Sequence, residues 1–492
     1  MEHADVVIIG SGPAGSTYAR LICDQAPGAR VLVVEAGPVV SQPPGAHVNT
    51  ITDPAARERA QVASQGPVRH SYEIAPSGLE LLTNRLGDDG PILPHVGLFL
   101  LGSAQEASPE FPAAAMASNV GGMGAHWFGS SPRPYGSERI GFLDPAVLDD
   151  ALATAERLLG VSAGQFAGSA EAARRESMLS AVFDEGRTPD RRVQPMPLAV
   201  SRKTPGSGQA GPAVILGPLR GGAHDQFQLR PETLCRRVLM TSGRATGVDL
   251  VDLVTGRPYQ VAARQVVVAA DSLRTPQLLF ASGVRPAALG RHLTEHPYIA
   301  ALYTVEADPG EAGDPAFDEV MPSSGVTWIP FDGLGFPLHV QVHQRASLLS
   351  AGLFLTKEVV AENRVEFSDS DRDWRGLPSM RVHYSLTPRD RAVVGQAMEV
   401  AAGVARACAG TPLDGWPRLM PPGSSLHYQG TVRMGPADDG DSVCDQHGRV
   451  WGTENLFVAG NGLIPASTAC NPTLTGVALA AIGARAVSSQ LA

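Results

Sequence analysis

Gly10, Gly12 and Gly15, with Glu35 twenty residues beyond the last of them, are the positions whose types and spacing most directly imply a chemistry. Glycines so placed let a turn tighten, let backbone approach a pyrophosphate and let a helix lie close on a strand, while the helix N-terminal amides face the phosphate charge. Glu35 falls where a ribose hydroxyl would be held. In a chain with 54 glycines the triplet alone is weak. Its context strengthens it: an apolar run, Val6 to Ile9, precedes the triplet, a helix follows, and Glu35 ends a second apolar run from Val31. The spacing suits FAD and NAD alike.

Three further groups could take part. Asn119-Val120-Gly121-Gly122-Met123-Gly124 ends at His126-Trp127, a glycine-rich loop that lets backbone approach a flat ligand. His339-x-Gln341-x-His343 places three polar side chains on one face of a strand, suited to hydroxyl groups or, at an edge, to solvent. His427 lies in Leu426 to Gly435, where glycines allow close ligand approach, although a lone histidine is as readily a packed one. Asn471-Pro472-Thr473 opens a terminal helix, with Asn471 as cap and Pro472 in the first turn. That helix end, directed at a flavin, would stabilise the negative charge of the reduced ring.

The elements that must position these residues follow from pattern. Proline-rich sequence (Pro38, Pro43, Pro44, Pro54, Pro67) leads to an apolar patch at Val96 to Leu101 and predicts a wrapping loop. Residues 145–185 read as helical and as the start of a second unit, and Ser201 to Gly222 as a loop or lid. Strands are expected at Arg236 to Met240, Ala245 to Val254 and Tyr259 to Ala270, followed by a turn and a helix opened by Pro276. A strand series of this kind inside a nucleotide-binding unit favours FAD over NAD. Residues 300–420 alternate strand and helix.

The bulk properties narrow the partners. A chain of 492 residues predicts two domains or one with a discontinuous partner. A net charge of −10 speaks against nucleic acid or anionic membrane and for a small-molecule substrate. No run is read as long enough to span a bilayer. Cys23, Cys235, Cys408, Cys444 and Cys470 show neither framework nor metal spacing, and with no signal-peptide pattern at the start the expected location is the cytoplasm.

His427-Tyr428-Gln429-Gly430-Thr431-x-Arg433-Met434-Gly435 and Asn471-Pro472-Thr473-Leu474-Thr475 together resemble the glucose–methanol–choline family of FAD-dependent oxidoreductases. Gly290-Arg291-His292-Leu293-Thr294-Glu295-His296-Pro297 looks like its internal signature. Gly121-Gly122-Met123-x-x-His126-Trp127 and the His339/Gln341/His343 strand resemble its pyranose oxidase branch and bacterial members that oxidise C-glycosides at C3. The resemblance implies an α/β (α+β) fold. A discontinuous Rossmann-like FAD-binding domain (1–135, 205–300, 425–492) would carry a sheet-plus-helices substrate domain (136–204, 301–424).

It further implies hydride transfer from C2 or C3 of a pyranose or glycoside to flavin, with His427 as base and Asn471 as its partner, and electrons passing to O2 or a quinone. FAD contacts would come from Gly10, Gly12, Gly15, Glu35, Gly121, Gly122, Met123, His126, Trp127, Ala270, Gly460, Asn461, Pro472 and Thr473. Substrate contacts would come from Gln341, His343 and Arg345. Fungal members join FAD covalently to the histidine matching His126, which leaves attachment here open. Three departures stand out: Phe128 replaces a threonine, Arg345 replaces an acid, and the loop from Arg345 to Thr356 looks shortened. A non-sugar alcohol as substrate, or a flavin-binding protein without turnover, are the alternatives.

Overall fold

The structure, a computed structural model, describes residues 2–66, 97–104, 108–203, 208–221, 224–306, 324–333 and 335–491. Pro67 and Val96 lie outside them.

The chain starts with β1 (Glu2–Ile9), α1 (Pro13–Gln25) and β2 (Val31–Val34), then α2 (Pro54–Ser64) and the short pair β3 (Phe99–Leu100) and β4 (Ala115–Met116). Next come α3 (Pro145–Leu159), α4 (Ala170–Phe183), β5 (Gln194–Pro195) and α5 (Pro212–Leu216). β6 (Phe227–Arg230), β7 (Thr233–Thr241), β8 (Arg244–Asp252), β9 (Pro258–Val268) and α6 (Asp271–Ala281) follow. β10 (Tyr298–Thr304), β11 (Thr327–Ile329), β12 (Leu338–Arg345), β13 (Leu348–Leu355), β14 (Arg364–Arg372) and β15 (Pro378–His383) precede α7 (Pro388–Ala407). The chain ends with β16 (Thr411–Pro412), β17 (Arg418–Leu419), β18 (Leu456–Val458) and α8 (Thr473–Leu491).

β1 lies between β2 and β9, all parallel, with β6 beyond β2. β1 is buried on both faces from Val6 to Ile9, so it reads as an unbroken apolar run. β9 is shared: its first half pairs antiparallel with β8, and its last residues, Val266 to Val268, pair parallel with β18. That fork brings the end of β18 beside the end of β1.

The second sheet is built on the antiparallel strands β10, β13, β12 and β11, and its two faces have different neighbours. Ile299, Ala301 and Tyr303, Val340 and Val342, and Leu349, Ala351 and Leu353 pack in one core with Ala397, Ala401 and Val404 of α7. The intervening residues face a cavity between the two sheets.

Several expectations change. The helical stretch 145–185 is two helices, and α3 does not open a second unit: Leu148, Ala151, Leu152 and Ala155 share the core of the first sheet, where α3 packs on α8. The described part of Ser201–Gly222 is no lid, because α5 packs on α1 and buries Ala213, Ile215 and Leu216. Pro276 sits inside α6 rather than opening it. The carbonyl that its missing N–H leaves without an intrahelical donor, that of Ser272, accepts from the Thr431 hydroxyl instead. The stretch after Arg345 is no loop but a two-residue hairpin turn into β13, with Ala346 at φ +48. Finally, α8 is long and apolar enough to cross a bilayer, contrary to the reading of the sequence, but 72% of its apolar window is buried in the protein.

Candidate active site between the two sheets

The ends of β1, β2, β9 and β18 converge on the cavity, whose volume is about 950 Å³. At the β1–α1 turn, Gly10 has φ +104, and a Cβ there would lie 2.3 Å from the Ala269 carbonyl oxygen. A Cβ on Gly15 would lie 2.0 Å from the Gly10 carbonyl, so Gly15 sets the helix on the strand without reaching the cavity wall. Gly12 caps α1 with no side-chain hydrogen bond, which leaves the first amides facing the cavity. Glu35 is also on the wall; it accepts from Ser11 N (3.1 Å), Ser11 Oγ (2.7 Å) and Gly37 N (3.0 Å). Ser11, absent from the sequence reading, ties the motif to the second glycine loop, because its hydroxyl accepts from Gly121 N at 2.9 Å.

Gly122, Met123, His126, Trp127, Ala270, Gly460, Asn461 and Thr473 line the same cavity, whereas Gly121 and Pro472 lie behind it. Behind the wall Gly121 (φ +97) makes the turn, as Gly10 does. These residues form a cradle of uncapped helix amides, close-approach glycines and one carboxylate, which fits a dinucleotide such as FAD. His126 Nε2 donates to Asn119 Oδ1 at 3.1 Å, and its Nδ1 is buried with no partner among the described residues. Burial, with a smaller contribution from the nearby His47, pushes His126 down to about 3.

On the opposite wall β12 offers Gln341, His343 and Arg345. His339, on the same face, is instead sealed behind the wall, its Nδ1 accepting from Trp328 Nε1 at 2.9 Å. His343 lies 6.0 Å from Phe128, ring to ring, and burial takes it down to about 3. Gln341 has a task beyond the one expected of it: its Oε1 accepts from Ser130 Oγ (2.9 Å) and its Nε2 donates to Asn471 Oδ1 (2.9 Å), so its amide also positions Asn471.

Asn471 Nδ2 then stands 3.2 Å from His427 Nε2. Asn471 is thus no helix cap: α8 starts at Thr473, and the Asn471 amide runs between Gln341 and His427. His427 Nε2 and the Asn471 N–H therefore place one acceptor and one donor side by side on the wall. That arrangement suits a hydroxyl that loses its proton while its oxygen gathers charge.

Two buried carboxylates hold the backbone just ahead of these residues. Glu138 Oε1 accepts from Ala469 N (2.7 Å) and Cys470 N (2.8 Å), and Glu295 accepts from Gly423 N (2.5 Å), Ser425 N (2.9 Å) and Ser425 Oγ (2.8 Å). Burial raises both, Glu295 to about 7, against the pull of the amides. Neither was singled out as a site residue, and Glu295 and His296 entered only within a signature. Glu138 sits between Ser137 and Arg139, and Glu295 and His296 sit together between Thr294 and Pro297, ordinary polar surroundings that carry no local sign of loops 331 and about 130 residues later in the chain.

Two family models described as GMC oxidoreductase match this chain, at residues 218–298 and 360–480. It is 46% identical to a C-glycoside 3-oxidase of Microbacterium trichothecenolyticum, over 99% of this chain and 97% of that one. It is 31% identical to a pyranose 2-oxidase of Tricholoma matsutake, over 100% and 94%. Among solved structures it resembles a formate oxidase of Aspergillus oryzae, studied for its FAD modification, with a TM-score of 0.69 at 15% identity over 99% of this chain and 98% of that one. That likeness is one of fold.

Proposed function

This chain belongs to the GMC oxidoreductase family, an FAD-dependent one, and from that membership and the wall just described we propose that it oxidises the C3 hydroxyl of a glycoside's sugar ring to a ketone. The observation that carries the proposal is the His427–Asn471 pair, aimed by Ser130 and Gln341 into a cavity that also holds the dinucleotide cradle. The Gly10–Gly15 turn, Glu35, the Gly122–Trp127 loop and the N-terminus of α8 would hold FAD, which when bound would supply the acceptor for the hydride that leaves the carbon. His427 takes the hydroxyl proton at Nε2, and the Asn471 N–H supports the substrate oxygen as the C–O bond becomes a carbonyl. His343, held neutral by burial, and Arg345 offer polar contacts to the ring hydroxyls and exclude water on that side.

The choice of C3 and of a glycoside is supported by the relative at 46% identity. It is also supported by the tight turn after Arg345, which leaves no long loop between β12 and β13 over the site. The His126 geometry supports FAD held without a covalent link, since Nε2 is engaged by Asn119 and the bare Nδ1 is buried against Gly97. Five free, buried cysteines support a reducing compartment such as the cytoplasm.

The test is an anaerobic titration of the purified protein with an aryl C-glycoside and with glucose, followed at the flavin band, with product regiochemistry by NMR. Bleaching by the glycoside and a 3-keto product are expected; no bleaching by either sugar would send the assignment to a non-sugar alcohol. Admitting air, then a quinone, shows which acceptor restores the colour. Denatured protein should run at the mass of the bare chain. A mass increased by FAD would reverse the reading of His126.

A further inference from the structure

The far side of the His427 ring is not in contact with solvent or cofactor space but with a second imidazole. His427 Nδ1 is 3.0 Å from Nδ1 of His296, and the two rings meet edge-on at 4.9 Å between centroids. His296 is 2% exposed. Its Nε2 lies 3.1 Å from Thr468 Oγ1, and Thr468 Oγ1 lies 3.1 Å from Gln429 Oε1. Gln429 Nε2 closes the circuit at 3.3 Å from the His427 carbonyl and also stands 3.2 Å from His296 Nε2.

The direction of hydrogen bonding around this circuit is set from the other end. Ser130 donates to Gln341, Gln341 to Asn471 Oδ1, and Asn471 thus turns its N–H toward His427 Nε2, which must be bare. A neutral His427 with bare Nε2 carries its proton on Nδ1 and donates that N–H to His296 Nδ1 in a hydrogen bond. His296 then carries its own proton on Nε2 and donates to Thr468 Oγ1, whose hydroxyl donates to Gln429 Oε1. The Gln429 amide hydrogens then turn to the His427 carbonyl, and the 3.2 Å approach of Gln429 Nε2 to His296 Nε2 is a contact between two donors rather than a hydrogen bond, because the Thr468 hydroxyl, already given to Gln429 Oε1, can only accept from His296.

We propose that His296 is a positioning residue which, through this circuit with Thr468 and Gln429, holds His427 in the Nδ1–H tautomer, so that Nε2 is unprotonated and can take the substrate proton in place of the Asn471 hydrogen bond. The assignment of His427 as base rests on the function proposed above; the tautomer does not depend on which alcohol is the substrate. Burial, reinforced by the neighbouring His427 and His339, holds His296 well below its ordinary pKa, so it stays an uncharged acceptor. Were His296 the other tautomer, accepting a hydrogen bond from Gln429 at Nε2 and donating from Nδ1, His427 would be forced to carry its proton on Nε2. The base would then face the substrate with the wrong nitrogen, the fault that a misassigned tautomer causes in other acid–base sites.

The test is histidine 15N NMR of the FAD-bound protein, with His427 resonances identified by their loss in His427→Gln. The expected spectrum shows His427 protonated at Nδ1 and His296 at Nε2. His296→Phe, which removes the acceptor, should lose the pure Nδ1–H form and slow anaerobic flavin reduction by about 100-fold. His296→Asn, whose Oδ1 can stand in for Nδ1 as acceptor, should keep the tautomer and reduce within about tenfold of the parent. A parent spectrum with His427 protonated on Nε2 overturns the proposal, as does a His296→Phe variant with unchanged tautomer and rate. If His296→Phe does not fold, the parent spectrum and His296→Asn still decide. Should no glycoside reduce the parent, the function reading falls while the NMR spectrum still reads the tautomer.

Discussion

Asn471 spends the two ends of its amide in opposite directions, accepting from Gln341 and pointing its N–H at His427. Its effect on the reaction therefore depends on a residue on another sheet. Gln341→Leu would leave the Asn471 Oδ1 without its donor and free the amide to turn. We expect flavin reduction about fivefold slower at unchanged flavin spectrum, measured by anaerobic stopped flow, since one neutral hydrogen bond is worth about 1 kcal/mol. An unchanged rate would show that Asn471 is held by other means. His427→Ala should cost about 10²–10⁴ in the same measurement, the range of one positioned acid–base group. The polar alternation of β12 is legible in the sequence, but which of its residues touch substrate is not. His339 and His343 share a face and differ only in whether Trp328 covers them.

At the scale of elements, each reacting residue follows a loop clamped by a buried acid. Glu295 holds Gly423 and Ser425 ahead of His427, where Leu426 adopts φ +59, and Glu138 holds Ala469 and Cys470 ahead of Asn471. Replacing a carboxylate by an amide turns one acceptor oxygen into a donor that faces a backbone N–H. Glu295→Gln should therefore lose about 1–3 kcal/mol of stability in denaturant unfolding and also slow flavin reduction, because the loop that aims His427 relaxes. Stability lost with the rate intact would reduce Glu295 to a structural role. The sequence showed the strand–turn–helix start because its signals are local. It hid β13 because the outer face of that strand, Leu348, Ser350, Gly352 and Phe354, meets a ligand cavity rather than water, so no polar alternation marks it. It hid the course of α6 because the donor that replaces the missing N–H of Pro276 comes from Thr431.

Over the whole molecule the buried histidines govern how stability responds to pH. Burial takes His47 from its ordinary 6.5 down to about 4 and His126, His339 and His343 to about 3, and it pushes His296 well below. The folded chain keeps these rings neutral while the unfolded chain protonates them, so their contribution is intact above pH 6.5 and is lost as pH falls from there toward 4. Three buried carboxylates act the other way. Glu295, raised to about 7, Asp271, raised to about 6, and Glu138 hold protons in the fold that the unfolded chain releases from its ordinary carboxylate range upward. These five rings, joined by His292, which burial and the charge of Arg433 also lower, outnumber the three carboxylates across the shared window, and FAD, on filling the cavity, would bury His126 and His343 further. The melting temperature should therefore be nearly level from about pH 7 upward and fall steadily below 6.5. In His47→Gln the donor to the Trp127 carbonyl survives and the titrating ring does not. That variant should shed about a fifth of the histidines' share of the slope between pH 4 and 6.5. Melting curves of parent and variant across that range check the prediction, and a decline that begins only below pH 4.5 would transfer the acid sensitivity from the histidines to the carboxylates.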